Sequence, residues 1–487
     1  MSCDKIGSSL FTLLFLLSIV TATTIATTAK DDSRQIISDL LTWADEEGGI
    51  VANIRVGNSA ISGAGRALVA IESRNEGQVL VSLPVHLLIT DETARASPLV
   101  QQHVLSFGED QLSLDSCMTV TLFLMLEKLI AYESSYWNKY YRSLPSMHHD
   151  FNLPQFFWNL TESGKAALKV LMTSPSMAVR IEKEQELHQN ALRKLNSTVF
   201  TSILHQYPHL TPQLVLETFL WAKSNILTRS WTKAHSSIQG ECTMVPILDL
   251  LNHQDSGGGL VAVAFEDKPD VVHSVGVLAT KAISSEEEIV DSYDPPDSSS
   301  RITKEFKCRQ EMLIGFGFLP SLTSERHWCF DITINIKVTT FAHPTLNMLR
   351  LKLFAQLGAT PGQQFTTKFR EGDTKLPSSL LAAMRLCTCG EKEMAVVKTR
   401  GEATSALSVE NERKVLRMIH NVMQVNVRAI PSSHAEDLMM LQSNTIDNKM
   451  RIALEVRVHE RMICLQAIEH IKTAWAAVLL NDKLWGW

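Results

Sequence analysis

An apolar run, Met244-Val245-Pro246-Ile247-Leu248, ends in Asp249-Leu250-Leu251-Asn252-His253. Strand interiors rarely finish on three polar side chains so closely spaced. Upstream, Arg229 follows a helix-like stretch, and its planar guanidinium suits a two-point hold on a carboxylate. Downstream come Tyr293, closing Ile289-Val290-Asp291-Ser292-Tyr293, and then Gly315-Phe316-Gly317-Phe318. A phenol hydroxyl can orient a reacting lone pair by hydrogen bonding. Each residue also has a plainer reading: an Asx-capped strand end, a surface ion-pair arginine, an ordinary loop tyrosine. Other chemistries find less support. The chain has no G-x-S-x-G element for a nucleophile. Cys387-Thr388-Cys389-Gly390 is followed by Glu391-Lys392-Glu393-Met394, which lacks the further ligands zinc requires, so no metal is expected.

The elements that must position these residues follow from periodicity. Ile36, Ile37, Leu40, Leu41 and Trp43 predict an amphipathic helix over 33–48. Gly63-Ala64-Gly65 leads into a strand at Leu68-Val69-Ala70, and Gln78-Val79-Leu80-Val81-Ser82-Leu83 forms a second, closed by Pro84. Residues from about 114 to 240 turn helical, with the aromatics around Trp137, Tyr140 and Tyr141 read as core packing. Strand signals return at Val261–Phe265, Val275–Ala279 and Glu287–Ser292, and the pattern is helical from about residue 345 onward. Strands, inserted helices, strands and then a helical domain make an α+β chain.

Taken together, these segments resemble a SET-domain protein methyltransferase of the Rubisco lysine methyltransferase type. The likeness runs over roughly residues 33 to 480, nearly the whole mature chain. It implies a SET-type β fold with a knot-like core and a helical insert, spanning 33–325. An all-α substrate-binding domain would follow over 340–482, with a protein substrate docked on it. The implied cofactor is S-adenosylmethionine. Gln78, Val79 and Leu80 stand where the family has Glu-Val-Leu, and their backbone is implied in holding the donor's amino acid moiety. Arg229 would pair with the donor carboxylate. Asp249, Leu250, Leu251 and Asn252 would contact the donor, and the adenine would lie against His253. Phe316, Gly317 and Phe318 would complete the donor site. Tyr293 is the implied catalytic residue, lining a substrate channel with Phe316. Arg309 replaces a family Asn, and Phe316 replaces a family Tyr; both departures are expected at the substrate end of the channel. The second enlarges that end and favours multiple methylation. Protein-histidine methylation, known in one branch, is disfavoured by Trp231 and Leu248. A non-catalytic binding scaffold is the alternative from another class.

Composition fits a globular protein, with 45% hydrophobic and 20% charged residues. A net charge of −6 gives no global pull toward nucleic acid. Eight cysteines, scattered and mostly in apolar segments, predict reduced buried thiols rather than a disulfide framework. The N-terminus points elsewhere. Lys5, the apolar run Leu10–Val20 and a small-residue stretch to Ala29 form a signal peptide or signal anchor over 1–29. That start implies the secretory route, a plastid reached by it, or membrane anchoring. Asn159-Leu160-Thr161 and Asn196-Ser197-Thr198 would then be glycosylation acceptors.

Overall fold

Leu40, Trp43 and Ala44 recur at helical spacing and bury one face of the first helix, Thr28–Glu46. The computed structural model describes residues 28–481 apart from 62–63, 113, 146–150, 232–241, 255–260, 269–270, 294–307, 321–326 and 339. The N-terminal leader, Gly63 and the loop after Tyr293 therefore lie outside the described residues.

Two small sheets form the β core. In the first, β1 (Ile54–Asn58) runs antiparallel to β2 (Arg66–Ala70), in register from Ile54 opposite Ala70 to Asn58 opposite Arg66. Ala67 to Ala70 are all buried, as befits a central strand. The second contains β3 (Val79–Pro84), β5 (Val261–Lys268) and β6 (Val271–Ala279), in the order β3-β6-β5 and all antiparallel. Returning to the first sheet, β7 (Glu288–Asp291) lies beside β2, and the two-residue β4 (Asn252–His253) pairs in parallel with β7. The order β1-β2-β7-β4 thus brings segments far apart in sequence to one sheet edge.

The helical insert is present as expected. Its helix Ser116–Leu126, capped by Asp115 accepting from the Met118 amide, is buried from Thr119 to Leu126. Two other insert helices, Glu162–Leu171 and Pro175–Leu195, turn Ala167, Leu171, Met177 and Ile181 into a different core. They share it with Phe330, Leu353, Leu381, Leu416 and Ile463 of the C-terminal region. The insert therefore joins the two halves of the molecule by apolar burial.

The C-terminal region is helical with one addition to the all-α expectation. Strands β8 (Cys329–Asn335) and β9 (Gln364–Arg370) form an antiparallel ribbon, with the helix Pro344–Gln356 between them in sequence. Val415, Leu416, Ile419 and Met423 give the Val409–Ala429 helix its buried stripe. From the last long helix, Asn448–Asn481, fully buried Glu460 reaches the start of Pro175–Leu195 and accepts from the Ser176 and Met177 amides. Burial pushes this carboxyl up to about 8, against the pull of those amides. Its folded value lies above its unfolded one, so its contribution is complete below the unfolded value and lost as pH rises through 8. Unfolding titrations between pH 5 and 8 should show stability falling by up to about 1.4 kcal/mol per pH unit from this group. Glu460→Gln should flatten that slope; an unchanged slope contradicts the assignment.

The cysteines correct the sequence reading. Cys117 is bonded to Cys242 and Cys308 to Cys329, while Cys387, Cys389 and Cys464 are free. Partners 125 and 21 residues apart carry no local signature, and folding alone brings them together. In the chain-entropy picture such loops stabilise by about 5 and about 3 kcal/mol. Both bonds brace segments that carry the polar motif. Cys242 sits just ahead of Met244, and Cys308 caps the helix Arg309–Phe316.

Candidate functional site

The helix Pro212–Arg229 starts with Thr211 as its cap and Pro212 in its first turn, and ends by presenting Arg229. The Arg229 Nη1 donates to the Asp249 carbonyl at 2.8 Å and lies 3.5 Å from its Oδ2. Asp249 is buried, and Tyr140 donates to the same Oδ2 at 3.0 Å. Burial raises the Asp249 carboxyl above its ordinary value, with Arg229 and Tyr140 pulling it back. The Nε of Arg229 is buried and has no hydrogen-bond partner among the described residues. An orphaned donor on a half-committed guanidinium fits a ligand carboxylate.

The chain enters the motif through a strained turn. Ile247 adopts φ 67° and ψ −49°, and the Leu248 amide donates to the Pro246 carbonyl at 2.7 Å. This is a γ-turn of the rare positive-φ kind, on a β-branched residue. Such strain costs on the order of 1–3 kcal/mol and persists only where the surroundings impose it. After it, Leu248–Leu250 make one tight helical turn, and Asn252 and His253 emerge on β4.

Asn252 is held from two sides. Its Nδ2 donates to the Arg66 carbonyl and to Glu288 Oε1, both at 2.8 Å. Glu288 also accepts from Ser59 Oγ at 2.8 and 2.9 Å and from the Ala60 amide at 2.8 Å. One carboxylate thus ties the loop before the glycine turn, the Asn strand and β7 together. Ser59, Arg66, Glu288 and Tyr140 were missed as site residues by sequence reading. Glu288 closes an acidic triplet that reads as solvated charge, and Tyr140 reads as core. Glu288→Gln removes one acceptor oxygen from this junction. It should weaken donor binding roughly 10-fold, as for a hydrogen bond to a charged group, with turnover at saturating donor retained. Titration calorimetry checks this; unchanged affinity would count against the role.

Tyr293 is pinned to the same strand. Its hydroxyl donates to the Leu251 carbonyl at 2.6 Å, and its amide donates to His253 Nδ1 at 3.2 Å. Burial pushes the hydroxyl well above the usual phenol range, so it remains protonated at neutral pH. The Tyr293 ring stands 5.0 Å from Phe316, 5.3 Å from His253 and 6.1 Å from Phe318, centroid to centroid. Phe316 and Phe318 reach it because Gly317 ends the Arg309–Phe316 helix at φ 81°, with its position facing the Asn152 backbone.

Arg229, Asp249, Leu250, Leu251, Asn252, His253, Tyr293, Phe316, Gly317 and Phe318 are thus gathered in one region. Of Gln78, Val79 and Leu80, Leu80 is buried in the same apolar core as Leu250 and Leu251. Gln78 and Val79 are exposed, and the Gln78 carbonyl accepts from the Ala279 amide of β6. The backbone that does reach Asn252 belongs to Arg66. Arg309 also departs from expectation. It is buried, donates to the Pro320 carbonyl and stacks 5.0 Å over Trp328, so it braces the domain junction.

Comparison with known proteins agrees with this geometry. Residues 346–463 match the family model described as Rubisco LSMT substrate-binding. The chain is 22% identical over 446 residues to a chloroplastic [fructose-bisphosphate aldolase]-lysine N-methyltransferase of Arabidopsis thaliana, covering 88% of this chain and 81% of that one. It is 23% identical to an actin-histidine N-methyltransferase of Danio rerio, covering 89% of this chain and 68% of that one. A solved structure of the SET domain of LSMT bound to lysine and AdoHcy superposes with a TM-score of 0.72 at 19% identity, covering 91% of this chain and 92% of that one. By these likenesses and its own β core, the chain has the SET fold of the Rubisco LSMT type, and its residues 346–463 are similar to the Rubisco LSMT substrate-binding family.

Proposed function

We propose that this chain is an S-adenosylmethionine-dependent protein-lysine N-methyltransferase acting on a nonhistone protein. The observation that carries the reading is the convergence of Arg229 and Tyr293 on the Asp249–His253 segment, whose Asn252 is held by the Arg66 carbonyl and Glu288. When bound, S-adenosylmethionine supplies an electrophilic methyl group on a sulfonium sulfur. Arg229, with its orphaned Nε, would hold the donor's carboxylate, and the Asn252 strand its amino acid and adenine ends. Tyr293, Phe316, Phe318 and His253, whose rings cluster, would wall an apolar channel, which favours the neutral amine a lysine must present. The Tyr293 hydroxyl orients that amine for in-line attack, a task of alignment more than of proton transfer. We assign the donor and channel machinery to residues 33–325 and protein docking to the helical region 340–482. We assign residues 1–29 to a leader that directs the chain into the secretory route.

Calorimetry with S-adenosylhomocysteine tests the donor site. Wild type should bind, and Arg229→Ala should lose at least about 10-fold, the range for a charge-assisted hydrogen bond. Equal affinities would contradict the assignment. Phe316 bears on the product. Without a hydroxyl at this position the channel end is roomier, so wild type should yield di- or trimethyllysine and Phe316→Tyr should shift product toward monomethyllysine. Mass spectrometry of the product peptide decides it. Monomethyllysine alone from wild type, with more product states from the variant, contradicts the role.

A further inference from the structure

The two disulfides and two outward-facing asparagines raise a question that methyl transfer does not answer. Four of the seven described cysteines are paired, and the pairs are separate in sequence and in place. Cys242, Cys308 and Cys329 are buried, whereas Cys117 is half-buried. Bonds enclosed in the core must form before or during folding, and they persist where the surroundings are oxidising. Cys387 and Cys389 are two residues apart yet unpaired, and the Cys389 thiol donates to the Leu386 carbonyl at 3.3 Å.

The same insert that Cys117 staples carries both Asn-x-Thr triplets. Asn159 lies in the short turn Trp158–Leu160, and Asn196 lies at the end of the Pro175–Leu195 helix. Both side chains are exposed, and neither belongs to the Arg229–Phe318 cluster. Their threonines are engaged. Thr161 Oγ1 accepts from the Gly164 amide at 3.1 Å as the cap of Glu162–Leu171, and the Thr198 hydroxyl donates to the Lys194 carbonyl at 2.7 Å. The folded chain therefore hides the hydroxyls and displays the amides. A glycan added before folding is tolerated afterwards, because each asparagine already points to solvent.

We infer that this chain matures in an oxidising lumen, with Cys117–Cys242 and Cys308–Cys329 as structural disulfides and with N-linked glycans on Asn159 and Asn196. In each oxidation two thiols lose two protons and two electrons to a disulfide carrier, and one S–S bond forms. In each glycosylation the asparagine Nδ2 bonds to the sugar C1 of a lipid pyrophosphate-linked oligosaccharide. The C1–O bond to phosphate breaks, the lipid pyrophosphate leaves, and the amide proton passes to a base. The apolar leader is the address that such a route requires. Because folding engages both sequon threonines, the folded, unglycosylated protein should not accept a glycan.

The test expresses the full chain, leader included, in a eukaryotic cell and purifies it without reductant. Peptide-N-glycosidase should lower its mass by two glycans, Asn159→Gln and Asn196→Gln should each remove one, and the double variant should show no shift. Alkylation of the denatured, unreduced protein should label Cys387, Cys389 and Cys464 and spare Cys117, Cys242, Cys308 and Cys329, which label only after reduction. An unshifted mass in cells that glycosylate a secreted control overturns the proposal. So does a glycan remaining on the double variant, or labelling of Cys117, Cys242, Cys308 and Cys329 without reductant. Donor binding is measured separately on the same material, so failure of this route and failure of the methyltransferase reading are distinguishable.

Discussion

Tyr293→Phe is expected to slow methyl transfer roughly 10²–10³-fold, the loss found when one preorganised hydrogen-bonding group is removed from a transition state. Donor affinity should change little, because the Arg229 and Asn252 contacts do not pass through the hydroxyl. The physical case rests on what the hydroxyl can do. Burial keeps it protonated, so it serves as a fixed dipole and not as a base. It points at the Leu251 carbonyl, between Asp249 and Asn252. Phenylalanine keeps the packing against Phe316 and His253 and removes only that dipole. The variant should cost about 1 kcal/mol of stability for the lost Leu251 bond, so a folded protein with near-normal donor binding and little turnover is the expected phenotype. Single-turnover kinetics with labelled donor separates these quantities. A rate within threefold of wild type would remove Tyr293 from the chemistry.

The second large effect lies in the helical C-terminal region. Arg385 and Glu412 are both fully buried and form a two-point pair, Nε to Oε2 at 2.8 Å and Nη2 to Oε1 at 2.7 Å. The remaining guanidinium nitrogen donates to the Thr404 and Ala403 carbonyls, so the pair ties three segments together. Arg385→Met leaves the Glu412 carboxylate buried without its partner. Loss of one member of such a pair costs about 3–5 kcal/mol, a large share of a typical domain's stability. Replacing both residues by Met should recover most of that loss, since apolar pairs of similar volume often match a buried ion pair. Urea unfolding of the single and double variants checks both parts. A single variant within 1 kcal/mol of wild type would mean that water or another cation already serves Glu412.

The donor motif was legible because its information is local. Asp249, Asn252 and His253 stand within five residues, and the apolar run before them fixes their place at a strand end. Tyr293 was legible because it closes the strand that pairs with theirs. Glu288 was not. It meets Asn252 across 36 residues only because β4 lies parallel to β7, and no spacing rule announces that pairing. The Arg66 carbonyl is backbone, so no residue type marks it. The β8–β9 ribbon had half a signal. Phe330, Ile332 and Ile334 alternate inward, but Phe365 and Phe369 of the partner strand are four apart and read equally well as helix. The disulfides were beyond reach, since a cysteine in an apolar segment looks the same whether or not another folds against it.

The central claim is that the Arg229–Phe318 region transfers a methyl group to lysine. Its most direct test is incubation of the purified chain with methyl-labelled S-adenosylmethionine and a protein extract, followed by identification of the labelled residue by mass spectrometry. The predicted result is label on lysine side chains with wild type and almost none with Tyr293→Phe. Label on histidine, equal label with both proteins, or no label from wild type despite donor binding would contradict it.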